Sequence, residues 1–260
     1  MSKTVLITGA GGLIGSLLRT SLSSTYEIRS LTLEPIDDVD SITADITDME
    51  AMLQACQGVD SVIHLAASVS HLAPWESVLH NNIVGAYTVF EAACQAGVKQ
   101  IIFASSNHAV GTYDLENAPD IYYTGQPKLD HLVPARPDGY YGVSKSFGET
   151  LGRYYADHRG MRIICLRIGM ISRRDYPPRG SMQESEHRLA AIWLSQRDMV
   201  QLAEKCLAAD SVQYDIFYGI SNNPHPFYDL EHAREVIGYE PQDSSADRLA
   251  QVDQGLWPRQ

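Results

Sequence analysis

Residues 4 to 22 read TVLITGAGGLIGSLLRTSL: an apolar run, a glycine cluster, then apolar residues at helical spacing. No other stretch constrains the fold of this chain as much. A buried strand that turns through Gly9, Gly12 and Gly15 into a helix presents backbone N–H groups at the turn. This GxxGxxG spacing lets the chain turn tightly and approach a pyrophosphate, whose charge faces the free N–H groups of the helix start. The other reading is a glycine-rich turn that holds nothing; strand, glycines and helix in this register favour a dinucleotide.

The alternation continues along the chain. EIRSLTL, DSVIHLAA, KQIIFAS, MRIICLRIG and YDIFYGIS read as strands. Between and after them fall helices: DMEAMLQACQG, opened by Asp48 and closed by Gly58, then residues 75–97, residues 139–158, DMVQLAEKCLAA and LEHAREVIG. Strands alternating with helices of this length imply βαβ units with right-handed crossovers, hence a doubly wound α/β fold with a parallel sheet. We expect one domain over residues 1–260, with the cofactor-binding core mainly in 1–168 and substrate-binding elements mainly in 169–260. Two long loops, 112–138 and 171–188, leave the carboxyl ends of strands, where open sheets of this kind bind ligands. The last dozen residues read as a tail of little order or as a docking arm.

Composition narrows the function. With 44% hydrophobic and 20% charged residues the chain can build a packed core. A net charge of −12 and the lack of any Lys/Arg run argue against a nucleic-acid partner. MSKTVLITGAGG holds too short an apolar segment for a signal peptide or a membrane span. Four scattered cysteines show neither a CxxC pair nor metal-ligand spacing. Buried reduced thiols and a cytoplasmic location are expected, with no metal.

A second motif, YGVSK, puts Tyr141 and Lys145 on one face of a helix. A phenol with pKa near ~10 is a poor base at neutral pH. A Lys ammonium and an oxidised nicotinamide both favour the phenolate, so Tyr141 can take a proton from a substrate hydroxyl as hydride leaves the carbon. An aromatic and a Lys four apart are common on helices. This pair gains weight because it follows a strand, IIFASSNHAVG, that ends by presenting Ser105, Ser106, Asn107 and His108 together.

On these motifs the chain resembles the extended short-chain dehydrogenase/reductases, the NAD-dependent epimerase/dehydratase group, over nearly its whole length. The resemblance implies a catalytic set of Ser106, Tyr141 and Lys145, with Ser106 five residues before Gly111 and polarising the reacting oxygen. It implies an NAD site made by Gly9, Gly12, Leu13, Ile14, Gly15, Thr32, Asp45, Ile46, Leu65, Ala66, Ala67, Asn82 and Ile168, together with Tyr141 and Lys145. SSNH followed by YGVSK is similar to the subgroup that oxidises the anomeric carbon of sugars: uronate dehydrogenases and short NAD-linked glucose-6-phosphate dehydrogenases. That likeness implies sugar contacts from Ser68, Ser106, Asn107 and His108; an amide that donates and accepts suits hydroxyls. A satisfied structural histidine is the other reading of His108.

Arg173, Arg174, Arg179 and Arg188 crowd into one loop of this acidic chain, and Arg grips carboxylate or phosphate bidentately. Arg173 and Arg174 read equally well as a solvated surface. The subgroup's R-x-x-x-x-W pattern falls on Arg188 to Trp193, which makes Arg188 the expected anion contact.

Three departures leave choices open. Thr32 stands where NAD sites usually carry an acidic residue, yet no Arg follows to receive a 2′-phosphate; NAD is expected and NADP stays open. Met170 follows RIG where uronate dehydrogenases typically show Ser. The loop ASVSHLAPWESV is a residue longer than theirs and resembles the sugar-phosphate relatives, so uronate and hexose 6-phosphate both remain. The leading expectation is oxidation of a C1 hydroxyl to a lactone. A nucleotide-sugar epimerase or dehydratase is the alternative, although SSN lacks the dehydratase acid/base pair and about 70 residues after Leu189 are few for a ligand-burying lobe. A non-catalytic NAD(P)-sensing regulator would not need the intact Ser-Tyr-Lys set. Family members often form a homodimer through the two long helices, so the resemblance makes a homodimer one open assembly here, which the sequence itself does not decide.

Overall fold

The computed structural model describes residues 2–37, 41–70, 72–179 and 182–257. Seven strands, β1 (Thr4–Thr8), β2 (Glu27–Thr32), β3 (Ser41–Thr43), β4 (Ser61–His64), β5 (Gln100–Ser106), β6 (Arg162–Ile168) and β7 (Tyr214–Gly219), form one sheet in the order β3-β2-β1-β4-β5-β6-β7. Every neighbouring pair is parallel. The apolar runs have no polar alternation because both faces are covered. In β1, Val5 and Ile7 enter one core with Leu18 and Leu22 of helix Leu13–Leu22 and Leu202 of helix Gln196–Ala208. Leu6, between them, enters the opposite core with Met52 and Phe90. The doubly wound Rossmann-like architecture expected from the sequence is therefore the one observed.

The strand order reverses at β1, flanked by β2 on one side and β4 on the other, which opens a crevice at the carboxyl ends of β1 and β4. Thr8, the last residue of β1, holds that crevice together. Its hydroxyl lies 2.8 Å from His64 Nδ1 and accepts from the Leu65 and Ala66 N–H groups at 3.2 and 3.3 Å.

The structure corrects three sequence-based expectations and decides between the two readings of the C-terminal segment. β3 was not expected, because three residues at the sheet edge carry too little pattern. Loop 112–138 contains helix Asp120–Thr124 and the end of helix Gly111–Glu116. Loop 171–188 gives way to helix Gln183–Ala191, whose polar sequence hides its helical period; Gly180 and Ser181 lie outside the described residues. The C-terminal segment carries helix Ser245–Asp253, docked through the buried Arg248, which pairs with Asp175 and Asp243 and lies 3.7 Å from the Trp257 ring centre. The docking-arm reading thus applies to the described part of that segment. Among the described residues no helix is long and apolar enough to cross a membrane. Cys56, Cys165 and Cys206 are buried and Cys94 half-buried, all as free thiols.

Helix Tyr140–Arg159 lies hard against β5. A Cβ on Gly148 would overlap the Phe103 ring, and one on Gly142 the His108 carbonyl. Glu149, two turns beyond Tyr141, fixes the helix lengthwise. Its carboxylate accepts from Ser105 Oγ at 2.6 Å and from Arg167 Nε and Nη2 at 3.0 Å each, while Arg167 Nη1 donates to the Tyr218 hydroxyl at 3.0 Å. All four groups lie inside the protein. Glu149→Ala would strand the Arg167 charge and should destabilise the fold by about 3–5 kcal/mol in urea denaturation; a loss below about 1 kcal/mol would show that Arg167 finds compensation elsewhere.

Candidate active site

The site grows from the carboxyl ends of β1, β4 and β5 and from helix Tyr140–Arg159. Gly9 has φ +71°, a left-handed conformation that L side chains rarely adopt, and a Cβ there would stand 2.8 Å from the Ala66 nitrogen. At Gly15 a Cβ would collide with the Gly9 carbonyl, so the helix start rests directly on the loop. Gly12 caps that helix without any side-chain hydrogen bond, and Leu13 and Ile14 begin its first turn. The result is a Cβ-free cradle whose first-turn N–H groups receive no side-chain cap. That is the donor set a pyrophosphate needs, and the residues fit a dinucleotide.

The other sequence-predicted cofactor residues line the same edge. Thr32 closes β2 with its methyl facing Gly11, its hydroxyl donating to the Glu34 carbonyl at 2.6 Å. Asp45 Oδ1 accepts from the Thr47 N–H and hydroxyl at 2.9 and 2.8 Å, which holds its carboxyl below the usual range. Ile46 is buried against Gly85. Leu65, Ala66, Ala67 and Ser68 run half-buried from β4, and Ile168 ends β6 beside Ser106.

Asn82 sits in a π-helical segment, Leu79–Val84, inside what sequence alone gives as one uninterrupted helix. Such bulges are frequent at functional sites. Its amide oxygen accepts from Ser68 N–H at 2.7 Å, and its nitrogen donates to the Ser68 carbonyl and to Ser144 Oγ at 3.0 Å each. Ser144 in turn donates to the Tyr141 carbonyl at 2.7 Å. Asn82 therefore ties the β4 loop to the helix that carries Tyr141.

Ser106, Tyr141 and Lys145 come together at the end of β5. Lys145, fully enclosed, donates from Nζ to the Ala104 carbonyl at 2.7 Å and lies 5.4 Å from the Tyr141 ring centre. No carboxylate partners it, so burial pushes its ammonium down to about 8. Burial likewise raises the Tyr141 phenol, and Ser106 pulls it back in part. In the resting chain, then, burial outweighs the acidifying influence on Tyr141 expected from the sequence. His64, beneath the site, is pushed down to about 3 by burial and by the Lys145 charge, and is a neutral structural residue.

Asn107 is buried, takes the Ser106 hydroxyl on Oδ1 at 3.3 Å and faces the Tyr228 hydroxyl with its amide. His108 packs edge-on to Tyr141 at 5.7 Å, and its Nδ1 lies 2.7 Å from Asp138 Oδ2. Arg188 contacts the wholly buried Asp114, Nε and Nη2 each 2.9 Å from Oδ2. The Tyr228 hydroxyl is buried among Asn107, Asp114 and Arg188. Arg173 and Arg174 are exposed, with Arg174 donating to the Tyr176 hydroxyl, and Arg179 pairs with Glu186 and Asp253.

Asp114, Asp138 and Tyr228 were not singled out from the sequence. Asp138, three residues before Tyr141, could have been suspected from its place at the helix entrance. Asp114 and Tyr228 gave no local signal, since only the fold brings them to Asn107 and Arg188.

A glycine cradle at the switch point of a doubly wound sheet, with a serine, a tyrosine and a lysine on the next strand and helix, defines a dinucleotide-dependent short-chain dehydrogenase/reductase site. The sequence matches the NAD dependent epimerase/dehydratase family over residues 5–194, and the chain belongs to that family. It is 44% identical over 258 residues to the NAD-dependent glucose-6-phosphate dehydrogenase of Haloferax volcanii, covering 95% of this chain and 96% of that one. Uronate dehydrogenase of Pseudomonas putida is 36% identical over 255 residues, covering 96% and 87%. A solved variant of uronate dehydrogenase from Agrobacterium tumefaciens complexed with NAD matches with a TM-score of 0.82 and 31% identity, over 100% of this chain and 92% of that one.

The depressed Lys145 sets a stability prediction. Lowering from 10.5 to about 8 corresponds to roughly 3 kcal/mol of cost, fully present below pH 8 and fading as pH rises towards 10.5. Lys145→Met should therefore raise the denaturation midpoint of the cofactor-free protein at pH 7, with the advantage gone near pH 10.5. A less stable variant at pH 7 would mean that the bond to Ala104 outweighs the burial.

Proposed function

We propose that this protein is an NAD-dependent dehydrogenase that oxidises the anomeric C1 hydroxyl of an anionic pyranose to a lactone. The observation that carries the reading is the convergence of Ser106, Tyr141 and Lys145 at the end of β5 with the buried Asn107 amide beside Ser106, a group that donates and accepts as sugar hydroxyls require. Ser106 would hold the C1 oxygen while Tyr141 takes its proton, and Lys145 would stabilise the phenolate and grip the cofactor ribose. Bound NAD supplies the hydride acceptor. Asn107 and His108 would hold neighbouring hydroxyls, with Asp138 orienting the imidazole, and Ser68 would close the far side. Arg188 would take the anionic group on the donor that Asp114 leaves open.

Of the two anions we favour a hexose 6-phosphate. The 44% identity to a glucose-6-phosphate dehydrogenase over nearly the full length of both chains supports that choice. Thr32, lacking a carboxylate, offers no repulsion to NADP, but none of its described neighbours reaches for a 2′-phosphate either, so NAD remains the favoured cofactor. The chain ought then to reduce NAD with glucose 6-phosphate, followed by absorbance of the reduced nicotinamide. Tyr141→Phe is expected to keep NAD affinity and lose turnover by at least about a hundredfold; unchanged turnover would remove Tyr141 from the chemistry. Arg188→Ala should raise KM for glucose 6-phosphate and glucuronate at least about tenfold while sparing a neutral pentose, with Arg188→Lys controlling for loss of the Asp114 partner. An equal loss on all three sugars would end the anion role.

We also infer a homodimer through the two long helices. Trp75, Leu79, Val84, Tyr87, Tyr140 and Tyr154 expose large apolar or aromatic surfaces on them. Light scattering should give twice the chain mass, and a monomer at micromolar concentration would contradict this assembly. Free and mostly buried cysteines support a cytoplasmic location, which cell fractionation would check.

A further inference from the structure

A second cluster of chemistry-bearing side chains lies on the outermost strand, four residues before the Gly219 that ends β7. Asp215 on β7, His232 on helix Glu231–Ile237 and His131 in the segment before the catalytic helix bring their ligand atoms within 4.8 Å of one another. His232 Nε2 is 2.8 Å from Asp215 Oδ1, and the Ile216 N–H donates to the same oxygen at 2.8 Å. The two imidazoles stack with centroids 3.5 Å apart and planes 6° from parallel. Stacking explains why the rings touch. It does not explain His131 Nδ1, which is buried and has no hydrogen-bond partner.

The backbone holds these three residues in place. Leu129 N–H donates to the Phe227 carbonyl at 2.8 Å, Asp229 N–H returns to the Leu129 carbonyl at 3.0 Å, and the Tyr218 hydroxyl donates to the Asp130 carbonyl at 3.1 Å. His131 and His232 are thus presented by two segments already paired to each other. Two imidazoles and a carboxylate are the ligand set of a borderline divalent cation, Zn²⁺ above all.

We propose that His131, Asp215 and His232 bind one such cation, with solvent completing its coordination. Tetrahedral Zn²⁺ with bonds of about 2.0 Å needs ligand atoms about 3.3 Å apart, so the cluster contracts by about 1.5 Å at most, and one imidazole turns out of the parallel stack by side-chain rotation to aim its lone pair at the cation. On binding, the cation replaces the proton shared between His232 and Asp215, and that proton leaves to solvent. The bound cation clips the segment around residue 131 and helix Glu231–Ile237 to the edge strand.

The test uses the full chain, stripped with a chelator, dialysed and titrated with Zn²⁺ by calorimetry and with Co²⁺ by its visible absorption. One equivalent should bind saturably and raise the thermal midpoint. His131→Ala and His232→Ala should each bind at least about tenfold more weakly while keeping the parent's circular dichroism. If His232→Ala fails to fold, His131→Ala decides, since its Nδ1 has no bond to lose. No saturable binding at one per chain, or parental affinity in His131→Ala, would overturn the proposal.

Discussion

The buried carboxylate of Glu149 is the contact on which the geometry of the site depends. Tyr141, Lys145 and Glu149 stand at successive four-residue steps along one helix, so they share a face. The first two point at the end of β5, and the third is locked to Ser105 on that strand and to Arg167 on the next. Ser105 immediately precedes Ser106. Fixing Glu149 against Ser105 therefore sets how far along the sheet Tyr141 and Lys145 stand from Ser106. Gly142 and Gly148 let the helix approach closely enough for this to happen, and Asn82 secures its start from the other side.

The site that results is electrostatically tense in the resting chain. An ammonium is enclosed with no carboxylate beside it, and a phenol is held by burial in its neutral form. A site shaped only for stability would not enclose an unpaired ammonium. Here the two groups lean on each other and on a cofactor cradle built from backbone, and the strain is offset by the two cores on either face of the sheet. An enclosed, uncompensated ammonium beside a serine and a tyrosine favours catalysis over a role limited to sensing the cofactor.

Much of this could be read from the sequence, and the reasons are local. GAGGLIG and YGVSK carry their meaning in spacing, and the uninterrupted apolar strands could only belong to a sheet covered on both faces. β3 escaped because three edge residues make no pattern, and helix Gln183–Ala191 because its sequence is polar. The π-helical segment around Asn82 has no marker a periodicity could reveal. Asp114 and Tyr228 lie 74 and 40 residues from Arg188 in sequence, and only the packing of three separate segments puts them near Asn107. The arginines show the opposite failure: near in sequence, Arg174 and Arg179 turn to Tyr176, Glu186 and Asp253 while Arg188 pairs with the buried Asp114.

In the proposed reaction hydride leaves the anomeric carbon of the sugar. The most direct measurement incubates the protein with NAD and glucose 6-phosphate, and separately glucuronate, deuterated at C1, and follows the mass of the reduced nicotinamide. The account predicts that NADH formed from at least one of these sugars carries the deuterium and that a lactone or its hydrolysis product appears in equal amount. Unlabelled NADH, or deuterium retained in a rearranged sugar with no net NADH, would contradict it and bring the epimerase reading forward.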